Sequence, residues 1–113
     1  MTRIFVVDAF AEAPFTGNPA AVVPDAAGLS DAVMQDIAAE MNLSETAFLT
    51  AAEGAPRLRW FSPVHEVAFC GHATIATAHV LSAELGRGGP FLFETQVGPL
   101  RVETDSWPLL LEV

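Results

Sequence analysis

The apolar positions of this chain fall into short runs broken by turn-forming residues, and only two stretches carry helical spacing. Arg3 to Phe10 is dense in Ile, Val and Phe and reads as a first strand. Pro14 to Pro19 reads as a loop, because Asn18 precedes a proline and is biased toward extended backbone. Ala20 to Val23, closed by Pro24, makes a second strand. Ser30 then opens a helix that ends near Asn42. Its hydroxyl can cap free N–H groups, and Asp31 suits the positive end of the dipole. Val33, Met34, Ile37, Ala38 and Met41 recur at helical spacing, with Asp36 and Glu40 away from most of them. Thr46 to Thr50 and Leu58 to Phe61 read as further strands, with a turn at Glu53-Gly54-Ala55-Pro56 between them and Ser62-Pro63 after them.

The second helical stretch, His72 to Leu85, has a different character. Small and apolar residues occur nearly all the way round, Glu84 is its only charge, and Gly86 supplies a C-terminal stop. A helix without a polar face is surrounded by protein, and small residues let neighbouring strands approach it closely. Phe91 to Gln96, Leu100 to Thr104 and Leu109 to Val113 complete the strands, with turns at Gly98-Pro99 and Asp105-Ser106. About seven strands and two helices, one of them buried, imply an α+β fold: a strongly curved, barrel-like mixed sheet wrapped around a central helix, not a βαβ array. Residues 1–113 show no internal repeat or linker and read as one domain.

Composition removes several functions from consideration. The formal net charge of −9, with five basic residues, argues against nucleic acid as a partner, since phosphates are held mainly by Lys and Arg. The absence of lysine excludes a Schiff base to pyridoxal phosphate or to a carbonyl substrate on this chain. With no tyrosine, a phenol cannot act as general acid. A single cysteine forms no internal disulfide and fits a reducing cytoplasm. No run approaches the roughly 20 apolar residues of a membrane-spanning helix, so a membrane is not an expected partner.

Two constellations carry chemistry. In Asn42-Leu43-Ser44-Glu45-Thr46-Ala47-Phe48, Glu45 stands where a helix hands over to a strand, at the edge of an apolar run. Desolvation favours the neutral form of a carboxyl group, which a proton shuttle near neutral pH needs. A solvated loop glutamate would carry the same local signature. In Phe69-Cys70-Gly71-His72-Ala73-Thr74, Gly71 permits close backbone approach, and the amides of residues 71 to 74 lack helical partners, as an anion site requires. His72 there is either a neutral donor or acceptor for a ligand, or a cap for the buried helix. Cys70 is either a helix-activated base or nucleophile, or inert packing. For metal binding, His72 and His79 lie about 10 Å apart along one helix, too far to share an ion. His65 and Glu66 show no recognisable ligand spacing, so no metal is expected.

These segments together resemble the phenazine-biosynthesis isomerase family, the PhzF-like proteins, within the diaminopimelate epimerase-like fold. The resemblance rests on Val7-Asp8-Ala9-Phe10, Phe15-Thr16-Gly17-Asn18-Pro19-Ala20, Asn42 to Phe48, Arg59-Trp60-Phe61-Ser62-Pro63, Glu66 and Cys70 to Thr74, in the family's order and spacing. It implies two similar halves, each a sheet around a central helix, with the site in the cleft between them. It also implies proton transfer at carbon without a cofactor, on a small carboxylate-bearing substrate. By the same resemblance Glu45 is the acid/base, and Gly71, His72 and Ala73 form the substrate-binding corner. Asn18 falls in a motif near the cleft. Cys70 matches a catalytic cysteine of the related amino-acid epimerases, so a cysteine-dependent racemase is an alternative. Family members are roughly twice as long, and this chain corresponds to the N-terminal half, with the C-terminal half absent. The alternative from another class is a catalytically inert binding or self-assembly domain, pairing as a homodimer or packing against the missing half.

Overall fold

A computed structural model describes residues 3–9, 18–50, 56–87, 90–103 and 110–112. In chain order the elements are β1 (Phe5–Ala9), β2 (Asn18–Val23), α1 (Asp31–Met41), β3 (Glu45–Thr50), β4 (Arg57–Phe61), β5 (Glu66–Val67), α2 (Gly71–His79), β6 (Phe91–Thr95), β7 (Gly98–Glu103) and β8 (Leu110–Glu112). The strands form one mixed sheet in the order β1-β2-β3-β4-β6-β7-β8, with β5 pairing β4 beside this path. The fold is α+β, as expected. Closure into a barrel is not observed: among the described residues β1 and β8 pair on one side only, so the sheet curls without joining its ends.

Two adjacent strand pairs are parallel, β2 with β3 and β4 with β6, and each is joined through a helix. Antiparallel pairing of β3 with β4 makes these two pairs run in opposite directions. Both crossovers step the same way across the sheet. The right-handed preference of such connections therefore sends α1 and α2 to opposite faces. The core divides accordingly. Ala20, Val22, Ala47, Leu49, Leu58, Trp60 and Phe93 pack with Ala73, Ala76 and Ala78 of α2. Val23, Phe48 and Phe61 pack with Met34 and Ala38 of α1. The central strands are thus covered on both sides, which explains why residues 46–49 are all buried and β3 reads as a continuous apolar run. The expected contrast with a βαβ array was too sharp, since the chain contains two such crossovers within a largely antiparallel setting.

Helix α1 begins and ends as its residues dictate. Ser30 Oγ accepts from the Val33 amide, and Asn42 adopts the left-handed conformation at φ 53°, its N–H donating to the Ala38 carbonyl. Of its apolar set, Val33 lies exposed while Met34 and Ala38 are fully covered. Helix α2 is enclosed as its composition requires; none of residues 71–82 is exposed. After His79, however, residues 80–84 widen to a π turn in which the Leu85 amide reaches Val80 O. Gly86, at φ 65°, then ends the segment.

Several boundaries differ from those expected. Asn18 and Pro19 belong to β2, not a loop; pairing with β3 starts only at Ala20, so the missing proline N–H takes no bond from that ladder. Gly98-Pro99 opens β7, and the turn lies at Gln96-Val97. Thr95 Oγ1 fixes it by donating to Gly98 O and accepting from the Val97 amide, with Gly98 at φ 103°. Phe10, residues 14–17, the turn at 53–55 and the turn at 105–106 lie outside the described residues.

Candidate active site

Strand parity places Glu45. As the first residue of β3 it shares a face with Ala47 and Leu49, the face that α2 covers. Its neighbour across the sheet is Ala20 of β2, whose small side chain leaves the carboxyl uncrowded. Helix α2 begins at Gly71 with Cys70 as its N-cap, and brings His72 to the same spot. His72 Nε2 lies 3.2 Å from Glu45 Oε2, with side-chain exposures of 16% and 21%. The two atoms are close but not aligned as a hydrogen bond. Both are fully buried and have no other hydrogen-bond partner. On the other side of the imidazole, Cys70 Sγ lies 3.3 Å from Nδ1. The sequence-predicted residues Glu45, Cys70, Gly71, His72 and Ala73 therefore converge from two elements.

Asn18 is described only through its backbone, which pairs with Ala9 at the start of β2. His79 stands at the other end of α2 and is not part of the group. His65 and Glu66 do not act together either: His65 Nδ1 contacts the Glu66 carbonyl, while the Glu66 carboxylate is engaged by Arg59.

Burial governs the acidity of Cys70. Burial pushes the Cys70 thiol up to about 11, and the nearby Glu45 carboxylate adds to the shift. The amides of Ala73 and His72 pull the other way without overcoming it. The helix start thus does not offset burial at neutral pH, and of the two readings of Cys70 this favours the inert thiol. Cys70 is 7% exposed. The helix-start amides also need one correction: the Thr74 N–H donates to Cys70 O, so Thr74 offers no free amide to a ligand.

A buried chain of hydrogen bonds fixes the helix start. Trp60 Nε1 donates to Thr74 Oγ1 at 3.1 Å, and that hydroxyl donates to Cys70 O at 2.8 Å. The loop entering the helix is held on its other side by Phe69, whose ring meets Trp60 edge-on at 5.8 Å. In the sequence Trp60 and Thr74 stand out only as members of their motifs. The available signal was a threonine within an otherwise apolar buried helix, which requires a partner.

On the opposite face, Arg59 anchors α1 to the sheet. Its guanidinium grips Glu66 through two bonds of 2.8 and 2.9 Å, reaches Asp31 at 2.8 Å, and stacks over Phe61 at 5.2 Å. Both carboxylates raise the Arg59 guanidinium above its ordinary value, and Arg59 holds the Asp31 carboxyl below its own. Gln35 adds a bond from α1 to Ser62 O. This network orients β4, and with it Trp60, without approaching Glu45.

A cavity of about 390 Å³, lined by residues that include Leu49, Leu81, Arg87, Phe91 and Phe93, lies at the far end of α2. None of Glu45, Cys70 or His72 lines it. The convergent chemistry, not this cavity, identifies the candidate site. No helix among the described residues is long and apolar enough to cross a membrane.

Comparison with known proteins identifies the family and the fold. An uncharacterized isomerase of Pseudomonas aeruginosa is 53% identical over 110 residues, which are 96% of this chain and 42% of that protein. The crystal structure of a phenazine biosynthesis protein of the PhzF family from Enterococcus faecalis is 48% identical, with a TM-score of 0.86 over 93% of this chain and 41% of that one. A structure of a putative phenazine biosynthesis PhzC/PhzF protein from Clostridium difficile gives 42% identity and a TM-score of 0.84, over 90% of this chain and 40% of that one. The chain thus spans about two-fifths of the length of the curated relatives it matches. Residues 7–109 match the phenazine biosynthesis-like protein family, PhzC-PhzF. On this match and these relatives, the chain belongs to that family.

Proposed function

We propose that this chain supplies the acid/base half of a cofactor-independent isomerase site, in which Glu45 moves a proton between carbons of a small carboxylate-bearing metabolite. One observation carries the reading: Glu45 Oε2 is buried, lacks a hydrogen-bond partner, and faces His72 at the mouth of an apolar face. A carboxyl group so placed can exchange a proton with a bound carbon acid and pass it on, with the His72 imidazole as local donor or acceptor. The amides of Gly71, His72 and Ala73 at the start of α2 suit the substrate carboxylate. The names of the relatives, several of them uncharacterized isomerases, support the reaction class. The absence of lysine keeps Schiff-base chemistry off this chain.

The racemase alternative loses ground because Cys70 remains a protonated, enclosed thiol at neutral pH. A complete cleft needs a facing surface. Val64 and Phe69, exposed in the segment that leads into α2, fit packing against a second half like that of the longer relatives, or against a second copy of this chain. The half-fold reading within the diaminopimelate epimerase-like architecture, and a cytoplasmic setting for the single free thiol, belong to the same proposal.

Solvent deuterium incorporation into a panel of small unsaturated and amino carboxylates tests the reaction, with Glu45→Gln as the control. Incorporation that requires Glu45 supports the reading. Undiminished incorporation in Glu45→Gln overturns it.

A further inference from the structure

The sequence reading set metal binding aside because His72 and His79 are too far apart. The fold groups a different set of donors. One ligand atom each from Glu45, Cys70 and His72 lies within 4.8 Å of the other two, and the three side chains come from a strand, a helix cap and a first helical turn. Thiolate, imidazole and carboxylate are the three donor types that zinc takes, at about 2.0–2.3 Å each, and three protein ligands leave a fourth position open. Tetrahedral donors at those lengths stand roughly 3.3–3.8 Å apart. The present separations of 3.2 Å for Nε2 to Oε2 and 3.3 Å for Sγ to Nδ1 already lie near that range. Sγ and Oε2 meet opposite nitrogens of the ring, so a shared ion requires the imidazole or the thiol to turn until both donors face one nitrogen, closing the remaining separation of up to 4.8 Å.

A second observation points to a ligand at this place. Glu45 Oε2 and His72 Nε2 are both buried and both without a hydrogen-bond partner. Two orphaned atoms facing each other mark a position that an added group would satisfy.

We infer that Glu45, Cys70 and His72 form a three-ligand site for a borderline-soft divalent cation, zinc above all, and that occupancy shuts off the acid/base role of Glu45. Binding displaces one proton: the divalent cation, the Cys70 thiol, the Glu45 carboxylate and the neutral imidazole give the three-coordinate complex and H⁺, with water at the open position. The thiolate and the carboxylate together match the cation's two charges. The metal holds the lone pair that Glu45 would use to accept a proton from carbon, so zinc is an inhibitor here and not a cofactor. The inhibitory part of this inference rests on the isomerase reading; the site itself does not.

Cobalt(II) titration of the chain reads the site without any activity. The expected result is a tetrahedral visible spectrum with a sulfur-to-metal charge-transfer band, which only Cys70 can supply since it is the one cysteine, and full displacement by an equivalent of Zn²⁺. Glu45→Gln and His72→Gln should each weaken binding roughly tenfold or more, by circular dichroism without loss of fold, while His79→Gln leaves it unchanged. A weak octahedral spectrum lacking the charge-transfer band overturns the site, as does binding that survives both variants. Deuterium exchange by chelator-treated protein separates the two claims. Exchange without a cobalt site sinks only the metal inference, and a cobalt site without exchange, measured with the facing half supplied, sinks only the isomerase reading.

Discussion

Glu45 Oε2 and His72 Nε2 stand 3.2 Å apart across the junction of β3 and α2, and neither has a hydrogen-bond partner. A structural pair buried for stability would be aligned and satisfied. This pair is neither.

Shortening the acid tests whether position matters as much as chemistry. Glu45→Asp keeps a carboxyl group but withdraws it from His72 by about one bond length. Deuterium exchange should fall about a hundredfold in Glu45→Asp. In Glu45→Gln, where the acid is gone, the loss should be about a thousandfold or more. Equal rates for Asp and Glu in single-turnover exchange would show that the carboxyl need not sit where the fold holds it.

Cys70 should be slow toward alkylating reagents near pH 7.5, because burial keeps it a thiol. Its iodoacetamide rate should climb with pH up to about 11 and match free cysteine only in denaturant. The same shift makes a stability prediction. The folded value lies above the ordinary 9.0, so the contribution is fully present below pH 9 and is lost as pH rises toward 11, where only the unfolded chain ionises freely. Cys70→Ala should flatten that alkaline decline in urea denaturation.

Thr74→Val removes the hydroxyl that accepts from Trp60 and donates to Cys70 O. Trp60 is 1% exposed, so its indole N–H would be left without a partner. The expected loss is about 1–3 kcal/mol, seen as a lower urea midpoint at unchanged slope. A loosened helix start should also weaken cobalt binding, since two of its donors sit there.

Arg59→Gln should loosen the N-terminal end of α1 on the sheet, because one guanidinium holds both Asp31 and Glu66, while core packing keeps the helix in place. Arg59 depresses the Asp31 carboxyl, so that interaction is present above Asp31's unfolded value of 3.8 and is lost as pH falls through the lower folded value. Acid titration followed by circular dichroism should therefore show a shallower stability decline below pH 4 in Arg59→Gln than in the parent chain. Asp31 is fully exposed, so added salt should shrink the difference.

Much of this was legible in the sequence. Ser30 and Asn42 bounded α1, and the small-residue stretch from Ala73 to Ala78 announced an enclosed helix. Cys70-Gly71-His72 and Glu45 were singled out by residue type and motif. What stayed hidden depended on contacts distant in the chain. Sequence spacing could compare His72 with His79 but not with Glu45, because that proximity is set by the parallel register of β2 and β3 and by the crossover that lays α2 on their face. β5 has two residues, too few for any periodicity to show. Residues 80–84 are as helix-permissive as those before them, and nothing in their composition distinguishes a π turn from an α turn. The two readings of Cys70 stayed open for a related reason: the helix dipole is visible in the sequence, but the desolvation that outweighs it is not.

The handover from α1 to β3 has one more consequence. Residues of β3 alternate between the α2 face and the α1 face, with Glu45, Ala47 and Leu49 on one and Phe48 on the other. Ala47, Phe48 and Leu49, locked into the two cores, hold that register, so a residue added among Asn42, Leu43 and Ser44 lengthens only the loop and costs only loop entropy. A residue inserted between Glu45 and Ala47 is different: it would turn the carboxyl toward α1 and silence the site while the buried part of the strand kept its place.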